Sequence, residues 1–354
     1  MPSSRAVSSD PIDELVAQGE LVSTPRSALS QERRRETTPD HKEIQPQRQR
    51  RVAKSRVEVV RAGGWDAWPW LVHGFSTRTG GLSSAYGTGQ GSGEPGSGAG
   101  FDLNLGFTET DTRENVVENR RRFLKAVGVP ASMKLVTLKQ IHSSSVLTVG
   151  EHEMAESCQG DGLMTNQPGV LLAIQTADCI PVLVADVKKK AVAAFHAGWR
   201  GTVKRIVESG VGKMRVAFKS RPEDLVAAIG PGIAACCYAV GDEVRTEFGS
   251  QFSYAAELFH EVSDTDPIRE KYPMLFLTAR APGHSELGPS LHLDLVEANR
   301  RQLLDVGLRA ESITVIGDCT RCQNNRYFSY RAEQGSTGRM LSVVGMREAA
   351  GGGR

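Results

Sequence analysis

Three reactive side chains stand where apolar runs of the sequence end. KQIH ends at His142, TADC ends at Cys179 after the run VLLAIQ, and His196 lies in FHAGWRG. A polar side chain at the end of a strand faces the loop layer, where functional sites are built on a rigid scaffold. Two imidazoles and a thiolate can hold zinc and leave a fourth position open for water or substrate. The spacing is long, however, and the alternative is two hydrogen-bonded structural histidines and a buried thiol.

Three arginines near glycines are candidates for binding an anion. Arg200 lies between Gly198 and Gly201, which permit a tight turn and the close approach of a ligand. Its guanidinium fork suits a phosphate group. Arg331 and Arg339, in SYRAEQGSTGR, are further candidates. The alternative for each of them is a surface ion pair.

The cysteines do not resemble a secreted disulfide framework. Six cysteines in 354 residues are few, so we interpret them as reduced thiols. Cys319 and Cys322 form a CxxC, but one such pair without a second is a weak sign of a metal or redox site. We therefore predict a structural role for it. Cys236 and Cys237 have no matching pair and are predicted to be buried thiols.

Strand and helix patterns are mixed along the chain. Short apolar or β-branched runs predict strands at LVTL, SVLTV, VLLAI, PVLVAD, AVAAFHA, LVAAIG, SITVIG and MLSVVGM. The polar link DVKKK between two of them is short enough for a hairpin. Amphipathic spacing predicts helices over residues 116–127, closed by Gly128, and over 202–218, 241–248 and 294–306. Because strands and helices do not alternate strictly, we expect an α+β fold with mixed β-sheets.

Composition divides the chain into a tail and one folded domain. Residues 1–55 are rich in Ser, Gln, Arg and Glu, which predicts a disordered polar tail. The catalytic domain is predicted over residues 56–348. Within it, residues 83–100 are nearly all small, which is typical of a flexible surface loop.

The charge distribution bears on the kind of partner. The formal net charge is +2, and residues 1–60 carry 11 basic and 9 acidic side chains, so the remaining 32 of each sign cancel. A nucleic-acid-binding domain is usually basic, so we expect a small ligand and no nucleic acid. No window approaches the roughly 18 apolar residues of a membrane span, and the N-terminus lacks the apolar segment of a secretory signal. We therefore expect a cytoplasmic protein without membrane contact.

An ordered series of blocks from about His73 to Met346 resembles the laccase-domain family, also called polyphenol oxidase-like proteins and now regarded as purine nucleoside phosphorylases. The blocks are HGFSTRTGGLS, LNLGF, ENRRRFL, KQIHSSSV, DGLMTNQPGVLLAIQTADCIPVLVAD, AVAAFHAGWRGTV, AIGPGIAACCYAVGDEV, LDLVEANRRQLLDVG, DCT and YFSYRAEQGSTGR. TADCIP and HAGWRG are the most specific. The chain departs from the family pattern in its tail and in the long stretch 83–100, which would affect substrate preference if it borders the pocket.

The resemblance implies a role for the three reactive residues. Family members bind zinc with the His of the QxH block, the Cys of ADC and the His of HAGW, which match His142, Cys179 and His196. The implied activity is phosphorolysis of adenosine, inosine, guanosine or methylthioadenosine to the free base and pentose 1-phosphate, with adenosine deamination at the same site. The implied partners are purine nucleosides and phosphate. The implied fold is a central sandwich of mixed β-sheets flanked by helices.

Three further residues are predicted to bind substrate. Arg200 is predicted to hold phosphate. Arg78, in HGFSTRTGGLS, and Asn104, in LNLGF, lie in family blocks and are predicted to line the nucleoside pocket.

Two other activities stay open at this point. The older family name suggests Cu²⁺-dependent oxidation of phenols, since His and Cys also bind copper. A multicopper cluster needs many histidines, however, and the chain has eight. A cysteine hydrolase would use Cys179 as nucleophile and His196 as base, which fits a family role in bacterial peptidoglycan editing.

Overall fold

The computed structural model describes residues 56–86, 101–150, 158–262 and 290–348. The predicted tail over residues 1–55 lies outside the described residues, as do residues 87–100 of the predicted loop.

The described residues form fifteen strands and five α-helices, with four short 3₁₀ turns at Trp65–Ala67, Pro222–Asp224, Ala255–Leu258 and Ala310–Ser312. The strands are Val59–Val60 (β1), Leu71–Ser76 (β2), Thr79–Gly81 (β3), Phe101–Asp102 (β4), Lys134–Val136 (β5), Val146–Thr148 (β6), Gly162–Thr165 (β7), Val170–Thr176 (β8), Ile180–Asp186 (β9), Ala191–Ala197 (β10), Leu225–Ile229 (β11), Phe259–Val262 (β12), Ser290–Leu293 (β13), Ile313–Val315 (β14) and Met340–Met346 (β15). The helices are Arg113–Val127 (α1), Trp199–Val203 (α2), Ile206–Phe218 (α3), Asp242–Gln251 (α4) and Leu295–Asp305 (α5).

Two mixed sheets make up the centre of the fold. One has five strands in the order β1-β2-β15-β8-β5, and the other has six in the order β14-β11-β9-β10-β7-β6. The predicted hairpin at DVKKK is present, because β9 and β10 pair antiparallel with Ala191 opposite Asp186. The pairs β5–β8, β6–β7 and β11–β14 are parallel. Two small two-stranded sheets, β3–β4 and β12–β13, complete the set.

The apolar side chains explain why the sheets stack. Strands β9 and β10 are buried on both faces, and alternate residues point to opposite sides. Leu183 and Val192 pack with Ile174 of the other sheet, whereas Val184 and Phe195 join a core with helices α3 and α5. On the far side, α1 packs its Phe123 against the five-stranded sheet. The result is a β-sandwich flanked by helices, which confirms the predicted α+β fold.

The helix ends follow their capping residues. The Thr112 hydroxyl accepts a hydrogen bond from the Asn115 amide at the start of α1, and Gly128 ends that helix in the left-handed conformation at a φ of 78°. The helix predicted over residues 202–218 is instead two helices, α2 and α3. The chain breaks at Arg205, whose φ of 58° is incompatible with a continuous α-helix.

Among the described residues, the helices are too short or too polar to cross a bilayer.

Candidate active site

Strand pairing brings two of the three reactive side chains together. His196 lies near the end of β10 and pairs with Pro181, the second residue of β9. Cys179 directly precedes that strand. His142 comes from the loop between β5 and β6. The donor atoms of the three residues lie within 4.8 Å of one another, and Cys179 Sγ is 3.9 Å from His142 Nε2. The structure thus joins three residues that are far apart in sequence.

A buried carboxylate holds this arrangement. Asp161 accepts a 2.8 Å hydrogen bond from His196 Nδ1, which leaves the Nε2 atom of that ring to face the other donors. The same carboxylate accepts hydrogen bonds from the backbone amides of Ile141, His142 and Ser143. Its hold on this loop accounts for the left-handed φ of 56° at His142. Asp161 therefore positions two of the three donors at once.

Asp161 is ionised across the physiological pH range. Burial alone would raise the pKa of its carboxyl group, but hydrogen bonds from His196 and Ser143 lower it to about 2. This residue was not among the predicted site residues. The only sequence sign of it was its position at the start of the DGLMT block.

Cys179 and His196 influence each other's protonation. Burial opposes the charged form of both groups. The negative thiolate and the positive imidazolium stabilise each other, which lowers the pKa of Cys179 to about 6 and raises that of His196 to about 9, with help from Asp161. A thiolate at neutral pH can act as a metal ligand or as a nucleophile.

The residue before Cys179 is held in an unusual conformation. Asp178 has a φ of 87°, which costs free energy for a side chain other than glycine. Its carboxylate accepts hydrogen bonds from the Thr320 hydroxyl at 2.6 Å and the Arg331 amide at 2.7 Å. Its carbonyl oxygen accepts the Ile233 amide at 2.8 Å. These contacts from two distant loops fix the turn that presents the Cys179 sulfur.

Gly198 is required by close packing around the donors. A Cβ atom at this position would lie 2.8 Å from Cys179 Sγ and 3.1 Å from His142 Cδ2. Both distances are shorter than ordinary van der Waals contact. Only glycine lets the backbone pass this close to the three donors.

The three donors lie in the wall of a cavity of about 660 Å³, within the range of small-ligand sites. Arg200, Arg331 and Arg339 also line this cavity, so the three arginines proposed from sequence to bind an anion share it. The Arg200 guanidinium stacks 4.4 Å from the centre of the Trp199 ring. The remaining lining residues include two aromatic rings and two amides, at Tyr238, Tyr330, Gln140 and Gln175. The cavity thus combines cations, aromatic faces and the metal-binding donor types.

Arg78 and Asn104 are placed elsewhere. The Arg78 side chain is 1% exposed and pairs with the carboxylates of Asp102 and Glu333, both at 2.9 Å. Asn104 is fully buried and accepts a hydrogen bond from the Arg339 amide at 2.9 Å. Neither residue lines the cavity. Their placement argues against direct substrate contact, because their polar atoms are engaged in internal hydrogen bonds that support the loop carrying Arg339.

The donor set suits a metal ion. Three ligands of N, N and S type, with the His196 ring oriented by a carboxylate on its other nitrogen, have the composition and outer support of a three-ligand zinc site. His142 is exposed on the cavity side, Cys179 is half-buried and His196 is buried, so a fourth position would face the cavity.

Comparison with known proteins assigns the family. Residues 72–347 match the family model described as multi-copper polyphenol oxidoreductase laccase. The chain belongs to this family. It is 35% identical over 254 residues to a Geobacillus stearothermophilus protein named purine nucleoside phosphorylase YlmD, an alignment that spans 70% of this chain and 84% of the relative.

Two further similarities agree with this assignment. A Deinococcus radiodurans protein named purine nucleoside phosphorylase is 36% identical, with 79% of this chain and 90% of the relative aligned. The crystal structure of the hypothetical protein YfiH from Bacillus licheniformis superposes with a TM-score of 0.64 at 28% identity, covering 84% of this chain and 98% of that one. The sequence alignment spans most of the Deinococcus relative, and the superposition spans nearly all of the Bacillus licheniformis structure.

Proposed function

We propose that this protein is a zinc-dependent purine nucleoside phosphorylase. It would cleave adenosine, inosine, guanosine or methylthioadenosine with phosphate, giving the free base and a pentose 1-phosphate, and would deaminate adenosine at the same site. The observation that carries the proposal is the convergence of His142, Cys179 and His196 in the wall of a cavity that three arginines also line. The names of the curated relatives support the phosphorolysis part of this proposal.

The cavity offers separate groups for the two halves of the substrate. Arg200, Arg331 and Arg339 supply positive charge for the phosphate. Tyr238, which is half-buried, and Tyr330, which is 54% exposed, present aromatic faces on which a purine can stack. The Gln140 side chain is held by the backbone of Gln175 in β8: its amide nitrogen donates to the Gln175 carbonyl oxygen and its amide oxygen accepts from the Gln175 amide, each at 2.8 Å, which keeps this wall rigid.

Phosphorolysis requires little covalent chemistry from the protein. A phosphate oxygen forms a bond to C1′ of the ribose while the bond from C1′ to the purine nitrogen breaks, and the purine leaves with the electron pair and takes up a proton. The sugar gains oxocarbenium character in the transition state. The arginines would hold the anion beside C1′, and the aromatic walls would hold the base, so that positioning provides most of the acceleration.

His142, Cys179 and His196 would hold the zinc ion, with Asp161 keeping the His196 ring in place. A zinc ion on such ligands supplies Lewis acidity, which polarises an oxygen atom and makes water a better nucleophile at neutral pH. For deamination, water adds at C6 of adenine and ammonia leaves. The chain's part in that step is to hold the base with C6 toward the three donors and to exclude other orientations.

The decisive experiment is a product assay on purified protein. Adenosine is incubated with and without phosphate, before and after treatment with a zinc chelator, and the bases and nucleosides are separated by chromatography. We expect adenine to form only when phosphate is present and inosine to form without phosphate. After chelation of the zinc ion, the formation of inosine should be lost. Metal analysis of the same sample distinguishes zinc from copper. Absence of any purine product would refute the proposal.

One geometric observation favours a second candidate, a cysteine hydrolase. Cys179, His196 and Asp161 have the order of a nucleophile, a base and an orienting carboxylate, and the pKa of the thiol is lowered. An enzyme of this kind would hydrolyse its substrate at full rate in the presence of chelator and would be inactivated by iodoacetamide. A zinc enzyme would lose activity with chelator, and bound zinc would protect Cys179 from alkylation.

A further inference from the structure

Four of the six cysteines meet at one place outside the cavity. The sulfur atoms of Cys236, Cys237, Cys319 and Cys322 all lie within 4.8 Å of one another. Cys322 Sγ is 3.5 Å from the sulfur of Cys236 and 3.3 Å from that of Cys237. All four are free thiols. The weak CxxC thus has its second pair in the adjacent Cys236 and Cys237, contrary to the prediction that those two are unrelated buried thiols.

The sheet topology explains this convergence. Strands β11 and β14 pair in parallel, so their carboxyl ends meet at the same edge of the six-stranded sheet. The loop over residues 230–241 follows β11, and the loop over residues 316–339 follows β14. The backbone bridge between Gly232 and Cys319 then ties the two loops together. Each loop contributes one pair of cysteines.

The distances suit a tetrahedral thiolate site. With zinc–sulfur bonds of about 2.3 Å, the sulfurs of a tetrahedral site lie about 3.8 Å apart. Two of the separations, 3.3 and 3.5 Å, are near that value and far above the roughly 2.05 Å of a disulfide bond. Small inward or outward movements of side chains would therefore complete the coordination shell.

A backbone amide supplies outer support of the kind that such a site needs. The Ala234 amide donates to Cys319 Sγ at 3.5 Å. Amide donors around the first cysteine of a CxxC turn stabilise its negative charge in zinc sites. This hydrogen bond therefore helps to hold the Cys319 sulfur in place beside the other three.

The position of the cysteines permits an ion to enter and then be enclosed. Cys237 and Cys319 are buried, whereas Cys236 and Cys322 are exposed. Around them the apolar core is small, with Ile233 as its only other fully buried member among the described residues. Two loops of this length need another source of stability, which a metal ion can provide.

We propose that Cys236, Cys237, Cys319 and Cys322 bind a structural Zn²⁺ ion, distinct from the ion of the candidate active site. Four thiolates leave no open position, which is the arrangement of closed structural sites. The ion would fix the two loops that reach the catalytic cavity. Tyr238 follows Cys237 and lines that cavity, and Thr320 follows Cys319 and binds the Asp178 carboxylate.

The test is the zinc content of the full chain, measured by native mass spectrometry and elemental analysis. We expect two zinc ions per chain in the wild type, one in Cys322→Ser and one in Cys179→Ser, and two in the control Cys158→Ser. Loss from Cys322→Ser together with retention in Cys158→Ser supports the four-cysteine site whether or not the protein proves to be a phosphorylase. A wild type with at most one ion, unaffected by Cys322→Ser, would overturn the proposal.

A second measurement does not depend on the folding of Cys322→Ser. Cys179→Ser lacks the active-site thiolate but keeps the four cysteines intact. After replacement of zinc by Co²⁺, it should show the strong thiolate charge-transfer and visible bands of a tetrahedral sulfur site, with all four thiols protected from alkylation. A spectrum without these bands, together with free alkylation of the four thiols, would contradict the proposal. A protein mass showing that two of the four cysteines form a disulfide bond would contradict it as well.

Discussion

The chain contains two thiol-rich clusters that differ in number of donors and in surroundings. The candidate active site has three donors, two of them imidazoles, and opens to a cavity of about 660 Å³. The four-cysteine cluster has four sulfurs, lies between two loops and has no residue in the lining of that cavity. A closed set of four ligands holds a metal as a structural element, whereas three ligands leave it able to act on a substrate. Mutation of the open centre should therefore lower activity, whereas mutation of the four-cysteine cluster should lower stability.

The largest contrast is expected between Cys179→Ser and Cys322→Ser in the adenosine deamination assay. Changing a residue that only supports a zinc ligand typically costs about 10- to 100-fold, so loss of the ligand Cys179 should lower kcat/KM by more than about 100-fold. Cys322→Ser should cost less in activity and more in thermal stability. Cys158→Ser, whose thiol belongs to neither cluster, should resemble the wild type. Equal losses of activity in both variants would show that the two clusters do not have separate roles.

The next effect concerns the carboxylate that orients the open centre. Asp161→Asn should lower zinc affinity by about 10- to 100-fold, measured by competition with a chromophoric chelator. At pH 7 it should also destabilise the fold, because the lowered pKa of Asp161 corresponds to on the order of 2 kcal/mol. That contribution is present above the unfolded pKa of about 3.8 and is lost as the pH falls toward 2, so the two urea unfolding curves should converge in acid.

Asp186→Asn is the matched control for this variant. Asp186 is a fully buried carboxylate at the other end of β9, where it accepts the amides of Lys188 and Lys189 in the hairpin. Its replacement should lower stability and leave zinc affinity unchanged. If both variants lost zinc to the same degree, Asp161 would act through the fold and not through His196.

The sequence predicts much of the fold, because the buried strands are continuous apolar runs and the main helix ends are marked by caps such as Thr112 and Gly128. The helix predicted over residues 202–218 was wrong at Arg205 for a tertiary reason. Asn299 and Gln302 of α5 hydrogen bond to Thr202, which holds α2 at its own angle beside β10. Helical periodicity contains no information about such contacts.

The candidate site was predicted only in part, again for reasons of distance along the chain. His142, Cys179 and His196 stand at recognisable strand ends and in family blocks. Cys236 and Cys322 are 86 positions apart, and their meeting depends on the parallel pairing of β11 with β14, which no local pattern indicates. Arg78 was predicted to line the nucleoside pocket, but its side chain pairs with Asp102 and Glu333. The position of an arginine in a family block does not reveal whether it binds a ligand or internal carboxylates.

The smallest predicted effect concerns packing around the open centre. Gly198→Ala places a methyl group 2.8 Å from Cys179 Sγ, so the sulfur and the His142 ring must shift by a few tenths of an ångström. We expect about a 10-fold loss of kcat/KM, because small displacements of positioned groups reduce catalysis steeply. Zinc content and the four-cysteine cluster should be unaffected.

Gly212→Ala is the matched control, since its added methyl group meets nothing within 4 Å on helix α3. It should keep full activity and gain about 0.5–1 kcal/mol of stability, as alanine does over glycine in a helix. Full activity in Gly198→Ala would mean that the three donors tolerate movement. The candidate active site would then differ from the four-cysteine cluster in the number of its ligands and not in how precisely they must be positioned.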